Sequence, residues 1–348
     1  MNSRRPTGRI AIDDGQQPIG LAAGALAVLL AALWGGTPVA VKFSTSLLGP
    51  ITVSGVRFAM ASVFMLFWCR WQRTGIRLRP GQVMPSLILG LLLFVQIVLF
   101  TVGIHWSNAS HGTLFVNTFI FWVVGFDHFL TRGSRLTPRR LLGLFVAALA
   151  VVLILSTTKT AGGGEADVDS PDLLGDLLLV ASAFVLGIKI IYTKHAMRVV
   201  ESGKLIFWHD VIGVVCFAVT AAIFEQPNLQ PFVGRAVVFD KATREAMLGL
   251  LYQGVVVAGF CFATQAVLLR RHSATQLSVF SFTTPLFGIT FAVLMRGETL
   301  SEWLVVSGVC VAVGILLVNL PEKKRNGPAA PGSRSGRNNR QIGPNAGG

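Results

Sequence analysis

The chain has 348 residues, 52% of them hydrophobic and only 13% charged, with a mean hydropathy of +0.64. A soluble domain of ordinary composition carries about 25% charged residues, so this balance excludes a soluble enzyme or binding module and sets the class as membrane protein. The formal net charge of +14 would suggest a nucleic-acid partner in a soluble chain; here the basic residues lie between long apolar runs, where they orient spans instead.

Residues 1–19 carry Arg4, Arg5 and Arg9 and lead into "ALAVLLAAL", the outline of a signal peptide. The apolar stretch runs on through "WGGTPVAVKF" without a clean small-x-small cleavage site, so a retained span is expected. Runs of about 20 apolar residues, the length that crosses a bilayer, recur ten times. They cover 20–43, 51–69, 83–103, 109–130, 138–157, 172–193, 205–224, 246–269, 274–295 and 302–320. An acidic linker, 159–171, separates the first five from the last five, and a Gly/Pro/Asn/Arg-rich tail, 321–348, reads as disordered and cytoplasmic. With the N-terminus inside, 22 of the 30 Lys and Arg fall on the cytoplasmic side, which predicts both termini there and an even number of spans.

A shift of 164 positions lays Leu130, Arg132, Gly133 and Leu136 on Leu294, Arg296, Gly297 and Leu300. Thr137 falls on Ser301, and either hydroxyl can cap the helix that follows; Thr299-x-x-Glu302 is an alternative capping box. Five spans per half is an odd number, so the second half enters from the opposite side. The expectation is an all-α integral membrane protein of ten transmembrane helices, built as two inverted five-helix repeats, 20–158 and 172–320. On that plan the first junction is cytoplasmic and basic, with Ser134, and the second is external, with Glu298.

The motifs then become specific. Trp34-Gly35, Lys42, Pro50 and Arg57-Phe58 in the first half resemble the opening of EamA-type members of the drug/metabolite transporter superfamily. Ser273-Ala274, Pro285, Gly297-Glu298-Thr299-Leu300 and the Gly308–Gly314 helix resemble that family's second signature, whereas the first half departs from it at Phe121 and Ser134. The resemblance covers roughly 20–320 and implies ten helices and transport of a small metabolite.

Charged residues inside spans are candidate functional groups because hydrocarbon penalises them. Lys189 and Asp210 each lie about five residues from the same cytoplasmic end, roughly 7 Å deep at the helical rise, and are expected to pair, or Lys189 to snorkel. His209 beside Asp210 extends this to a substrate or proton site. Arg57 is expected to snorkel outward or bind a helix end, and Lys42 to lie nearer the surface. Asp127-His128 reads as an interfacial pair. Gln96, Asn117, Gln253 and Gln265 are candidates for a polar cavity, since lipid-facing amides would go unsatisfied. Trp34, Trp122 and Tyr192 are candidate aromatic surfaces, and Pro38 and Pro285 candidate hinges.

The expected activity is secondary transport of an amino-acid-like or drug-like metabolite across the inner membrane, by export. A carrier for phosphorylated or carboxylate anions is the alternative, and a scaffold, channel or intramembrane enzyme more remote. No P-loop, HExxH or GxSxG occurs; the four Cys lack ligand spacing, and among the six His only His105 and His111 come near it, too far apart for one helical face. No cofactor, metal or nucleic acid is expected; the partners are a small substrate and the bilayer, with the chain a monomer or homodimer.

Overall fold

The computed structural model describes residues 19–126, 137–157, 171–225, 240–272, 277 and 279–319. Eight helical stretches in it are long and apolar enough to span a bilayer: Leu21–Thr45, Pro50–Trp71, Val83–Trp106, Ala109–Phe126, Pro138–Ser156, Leu173–Ala196, Ser202–Phe224 and Lys241–Leu268. Two shorter apolar helices, Thr284–Arg296 and Glu302–Leu317, follow. No strand occurs among the described residues. The fold is all-helical, as expected. The Asp127-His128 pair, the 159–170 part of the linker and the basic tail lie outside the described residues.

Several of these stretches are interrupted, and local chemistry accounts for each break. The first comprises α1 (Leu21–Gly35) and α2 (Thr37–Thr45), divided at Gly36. Pro38, in the first turn of α2, has no N–H for a continuous ladder. The next two are continuous: α3 (Pro50–Trp71) and α4 (Val83–Trp106). The fourth divides into α5 (Ala109–Val116) and α6 (Phe119–Phe126) without any proline. There Asn117 Nδ2 donates to the Thr113 carbonyl at 2.7 Å and Thr118 Oγ1 to that of Phe115 at 2.6 Å. Side chains that bond back onto the preceding turn compete with the helix ladder.

After α7 (Pro138–Thr157), α8 (Leu173–Ala196) and α9 (Ser202–Phe224) comes α10 (Lys241–Leu251), which widens into a ten-residue π-helix, Tyr252–Cys261, before α11 (Phe262–Arg271). A 3₁₀ turn, Val279–Thr283, leads into α12 (Thr284–Phe291), with Pro285 in its first turn. A π turn, Ala292–Arg296, ends at Gly297, whose φ of +69° is a left-handed conformation that favours glycine. The last helix is α13 (Glu302–Asn319). Ser301 caps it through Leu304 N at 3.1 Å. Thr137 differs: it accepts from Leu141 through its carbonyl, and its hydroxyl has no partner among the described residues.

Helix α4 lies along α8, α3 along α9, and α7 along α13. With no hydrophobic drive between helices in lipid, close approach and packing hold them together. A Cβ added to Gly175 would stand 2.8 Å from the Trp106 carbonyl carbon, so α8 and α4 meet backbone to backbone. The first span belongs to this core, since α1 packs on α12 and Leu30 is buried beside Cys261 and Leu268. Large apolar side chains such as Phe67, Phe145, Val215 and Leu294 stand exposed, while Arg57, Lys189 and Asp210 are buried. That inside-out distribution suits a lipid environment.

Candidate functional site

Five elements converge on a buried polar cluster at mid-bundle. Lys189 on α8 donates from Nζ to Gln96 Oε1 on α4 at 2.9 Å, and its ammonium lies 5.6 Å from the centroid of the Phe262 ring. Gln96 is held in turn by Ser182, which receives its Nε2–H at 3.1 Å and donates to its carbonyl at 2.9 Å. On α9, His209 Nδ1 and Asp210 Oδ1 are 2.9 Å apart. The His209 ring sits edge-on to Phe58 of α3 and to Phe262 of α11, with centroids 6.4 and 6.3 Å away. Arg57, one residue before Phe58, stacks its guanidinium 5.1 Å from that ring's centroid.

The remaining atoms define what the cluster can do. Arg57 Nε and Nη1 and Asp210 Oδ2 are buried, and none of the three has a hydrogen-bond partner among the described residues. Arg57, Lys189 and Asp210 lie in electrostatic reach of one another, yet no two form an ion pair within 4.0 Å. The expected Lys189–Asp210 pair is therefore not made; Gln96 holds the lysine and His209 the aspartate. Nor do Lys189 and Arg57 snorkel, being 7% and 3% exposed. Leaving one buried polar atom unsatisfied costs about 1–3 kcal/mol, more when it is charged. Three such atoms of both signs in one cluster make it the candidate ligand site.

The other candidates divide. Trp34 is half-buried against Phe262, with ring centroids 6.4 Å apart, and Tyr252 Oη beside it donates to the Leu33 carbonyl. Gln253 is fully buried and donates to the Ala40 carbonyl at 3.0 Å and to Ser44 Oγ at 2.9 Å, tying the π-helix to α2. Asn117 serves the α5–α6 break, and Gln265 is half-buried on α11. Two aromatic candidates lie elsewhere. Trp122 is 37% exposed and packs on Phe184, its centroid 5.0 Å away. Tyr192 joins an apolar cluster with Leu89, Ala196, Val200 and Leu205.

Three polar features escaped the sequence because their partners are far apart along the chain. Lys42, expected near the surface, is 5% exposed and donates to the His105 carbonyl at 3.4 Å. Ser107 Oγ donates to Asp176 Oδ1 at 2.5 Å, and Asp176 Oδ2 lies 2.9 Å from His111 Nδ1. Finally, two carboxylates cap helices of the other half at that same end of the bundle. Glu225 accepts from Ile51 N, Thr52 N and Thr52 Oγ1, each at 2.7 Å, and Glu298 accepts from Ala109 N and Ser110 N at 2.9 and 3.0 Å. Helix N-termini present unsatisfied N–H groups and a positive dipole end, so carboxylates belong there. The turn at Gly297 aims Glu298 at α5, which gives the Gly-Glu motif a structural role.

A polytopic helical bundle with an apolar exterior and a buried, incompletely paired charge cluster is the architecture of a membrane transporter. The EamA-like transporter family matches residues 22–156 and again 173–320, and the chain belongs to that family. It is 22% identical over 286 residues to the "Uncharacterized transporter YoaV" of Bacillus subtilis (strain 168), covering 82% of this chain and 92% of that one. It is also 22% identical over 299 residues to a "Probable amino-acid metabolite efflux pump" of Escherichia coli (strain K12), covering 84% and 93%. A solved crystal structure superposes with a TM-score of 0.60 at 17% identity over 86% of this chain and 96% of that one, a likeness of fold.

Proposed function

We propose that this transporter is a secondary carrier that exports a small amino-acid-like metabolite across the cytoplasmic membrane by alternating access. The observation that carries the reading is that both halves of the chain build the charged cluster: Arg57 and Gln96 come from the first, Lys189, His209, Asp210 and Phe262 from the second. A site shared between halves changes its exposure when they rock against each other. Export is favoured by the efflux function in the name of the Escherichia coli relative.

An inverted repeat of ten spans with both termini inside underlies this proposal. Its support is an exchange symmetry in the packing. The α4–α8 contact of one half with the other is matched by α10 and the π-helix on α2, and α6–α8 by α12–α1, while α3–α9 and α7–α13 pair equivalent spans. On that plan Glu225 and Glu298 tie the halves together at the external end.

The test is uptake and counterflow in proteoliposomes, using compounds whose cellular levels change when the gene is removed. Saturable flux abolished by Asp210→Asn is expected; flux without saturation, or none with any compound that changes, overturns the carrier. Two buried cations against one carboxylate favour a second reading, a carrier of phosphorylated or carboxylate anions. That reading requires anions to be preferred and the preference to fall with Lys189→Gln.

A further inference from the structure

On its outer side α3 meets the π-helix Tyr252–Cys261 through glycines. A Cβ at Gly254 would stand 2.6 Å from Met60 Cε, and one at Gly259 2.7 Å from the Phe64 ring. Beside this close contact runs a groove of about 330 Å³, lined by Met60, Val63, Phe64, Phe67 and Val255. Val63, Phe67 and Val255 are exposed along it. Sites for small metabolites set a few polar groups among their apolar walls. No polar side chain lines this groove, so it suits a hydrocarbon chain rather than a polar solute.

At the end of α3 the groove meets charge. Phe64 stacks on Trp68 with ring centroids 6.1 Å apart, and Trp68 meets Trp71 edge-on at 5.1 Å, a row of rings from the groove to the helix end. Met60, Phe64, Phe67 and Trp71 share one helical face by their spacing, with Val63 and Arg70 flanking it. Arg70, Arg73, Arg77 and Arg79 are all exposed, and none of the four forms an ion pair among the described residues. No Asp or Glu occurs between Asp14 and Asp127. Glu201, which approaches this end of α3 from the start of α9, lies 3.5 Å from Lys204. A closed turn fixes the arginines at the rim: Thr74 N donates to the Cys69 carbonyl at 2.8 Å, and Arg73, with φ of +54°, holds the left-handed position usual for glycine.

We propose that this face of α3 holds an anionic glycerophospholipid, with an acyl chain in the groove and the phosphate on Arg70 and Arg73. Three features set the occupant. From Met60 to Arg70 the helix rises about 15 Å, the hydrocarbon depth of one leaflet in a core about 30 Å thick. A lipid whose phosphate meets Arg70 therefore carries its chain down to Met60. Trp68 and Trp71 stand at the level of the interfacial aromatic belt. The C-terminus of a helix is the negative end of its dipole and repels an anion, so the attraction has to come from the arginines, each raising affinity for anionic lipid about five-fold. A zwitterionic lipid fills the groove but gains less from them. A second copy of this chain, packed symmetrically on the same face, would set arginine against arginine.

The experiment is native mass spectrometry of the full chain in neutral detergent. It is titrated with dioleoyl phosphatidylglycerol or dioleoyl phosphatidylcholine, and glycerol 3-phosphate serves as a competitor that has the headgroup charge without the chains. Phosphatidylglycerol is expected to be held at least about five-fold more tightly than phosphatidylcholine, and glycerol 3-phosphate not to displace it. Arg70→Gln and Arg73→Gln should each weaken phosphatidylglycerol by about five-fold and leave phosphatidylcholine unchanged. Arg198, exposed beyond the end of α8, gives the control: Arg198→Gln removes the same charge elsewhere and should change neither lipid. Val63→Trp fills the groove from an exposed position and should weaken both. Equal retention of the two lipids by the unaltered protein overturns the proposal, and that comparison needs no variant to fold. An Arg198→Gln loss as large as that of Arg70→Gln overturns it too, since the preference would then belong to net charge. So does displacement by glycerol 3-phosphate, or full phosphatidylglycerol affinity in Val63→Trp. A dimer that Val63→Trp disperses and phosphatidylglycerol does not would put a second copy on this face in place of the lipid.

Discussion

Glu225 links the two halves of the chain through three hydrogen bonds, and removing it has a calculable effect. Helix α3 opens with Gly49-Pro50; proline has no N–H, so the first free donors are those of Ile51 and Thr52. Glu225, at the end of α9, accepts from both and from the Thr52 hydroxyl at 2.7 Å each. Charge-assisted bonds contribute about 1.5–3 kcal/mol each when buried. These are partly buried at a helix end, so we expect Glu225→Ala to cost about 2–4 kcal/mol and Glu225→Gln about half as much. Gly49 provides a control from the opposite side, because a Cβ there would fall 2.3 Å from the Glu225 carboxyl group. Gly49→Ala should displace the same carboxylate with a loss of similar size. The assay is equilibrium unfolding of the purified protein in mixed micelles, completed as a double-mutant cycle. Because both substitutions break one contact, the double variant should be little worse than the poorer single variant. Additive losses, or a Glu225→Ala loss below about 0.5 kcal/mol, would refute this capping contact.

Two further outcomes follow from the polar networks. Asp176→Asn keeps the size but removes the charge that accepts from Ser107 and faces His111, so a loss of about 2–3 kcal/mol in the same unfolding assay is expected; wild-type stability would show that the network is not coupled to folding. Asp240 caps α10 by accepting from Thr243 N at 2.8 Å, and hydrogen bonds from the Thr243 hydroxyl and from this N–H hold its carboxyl below the ordinary range. A depressed folded value means that the stabilisation is present above the unfolded value near about pH 4 and is lost as pH falls through the folded one. The melting-temperature gap between wild type and Asp240→Asn should therefore shrink between about pH 6 and pH 3; a constant gap would contradict the cap.

Legibility in the sequence followed the range of the physics. Apolar runs, Pro38 and Pro285 are local, and the helices and two of their breaks appear where those residues place them. The α5–α6 break was hidden because Asn117 and Thr118 act through side-chain bonds to their own preceding turn, with no proline to announce it. Arg57, Lys189, His209 and Asp210 stood out because a charge in hydrocarbon is conspicuous by itself. Their partners did not: Lys189 sits equally well opposite Asp210 or Gln96 until the α4–α8 and α3–α9 contacts are known. His105 and His111, unpromising as a pair, each serve different neighbours, with the His105 carbonyl meeting Lys42 and the His111 ring meeting Asp176.

The sequence by itself determined that this chain is a membrane protein of apolar helices, because the cost of exposing backbone and charge to lipid acts residue by residue. It also marked the two Arg-Gly-x-x-Leu junctions and the Glu at 298 that one copy carries and the other lacks. Only the tertiary structure decided what that Glu does, capping α5 from another half of the chain, and which buried charges are left open. Hydrogen-bond satisfaction is a property of pairs up to 213 residues apart, as for Gln253 and Ala40, and such pairs exist only once the helices have packed.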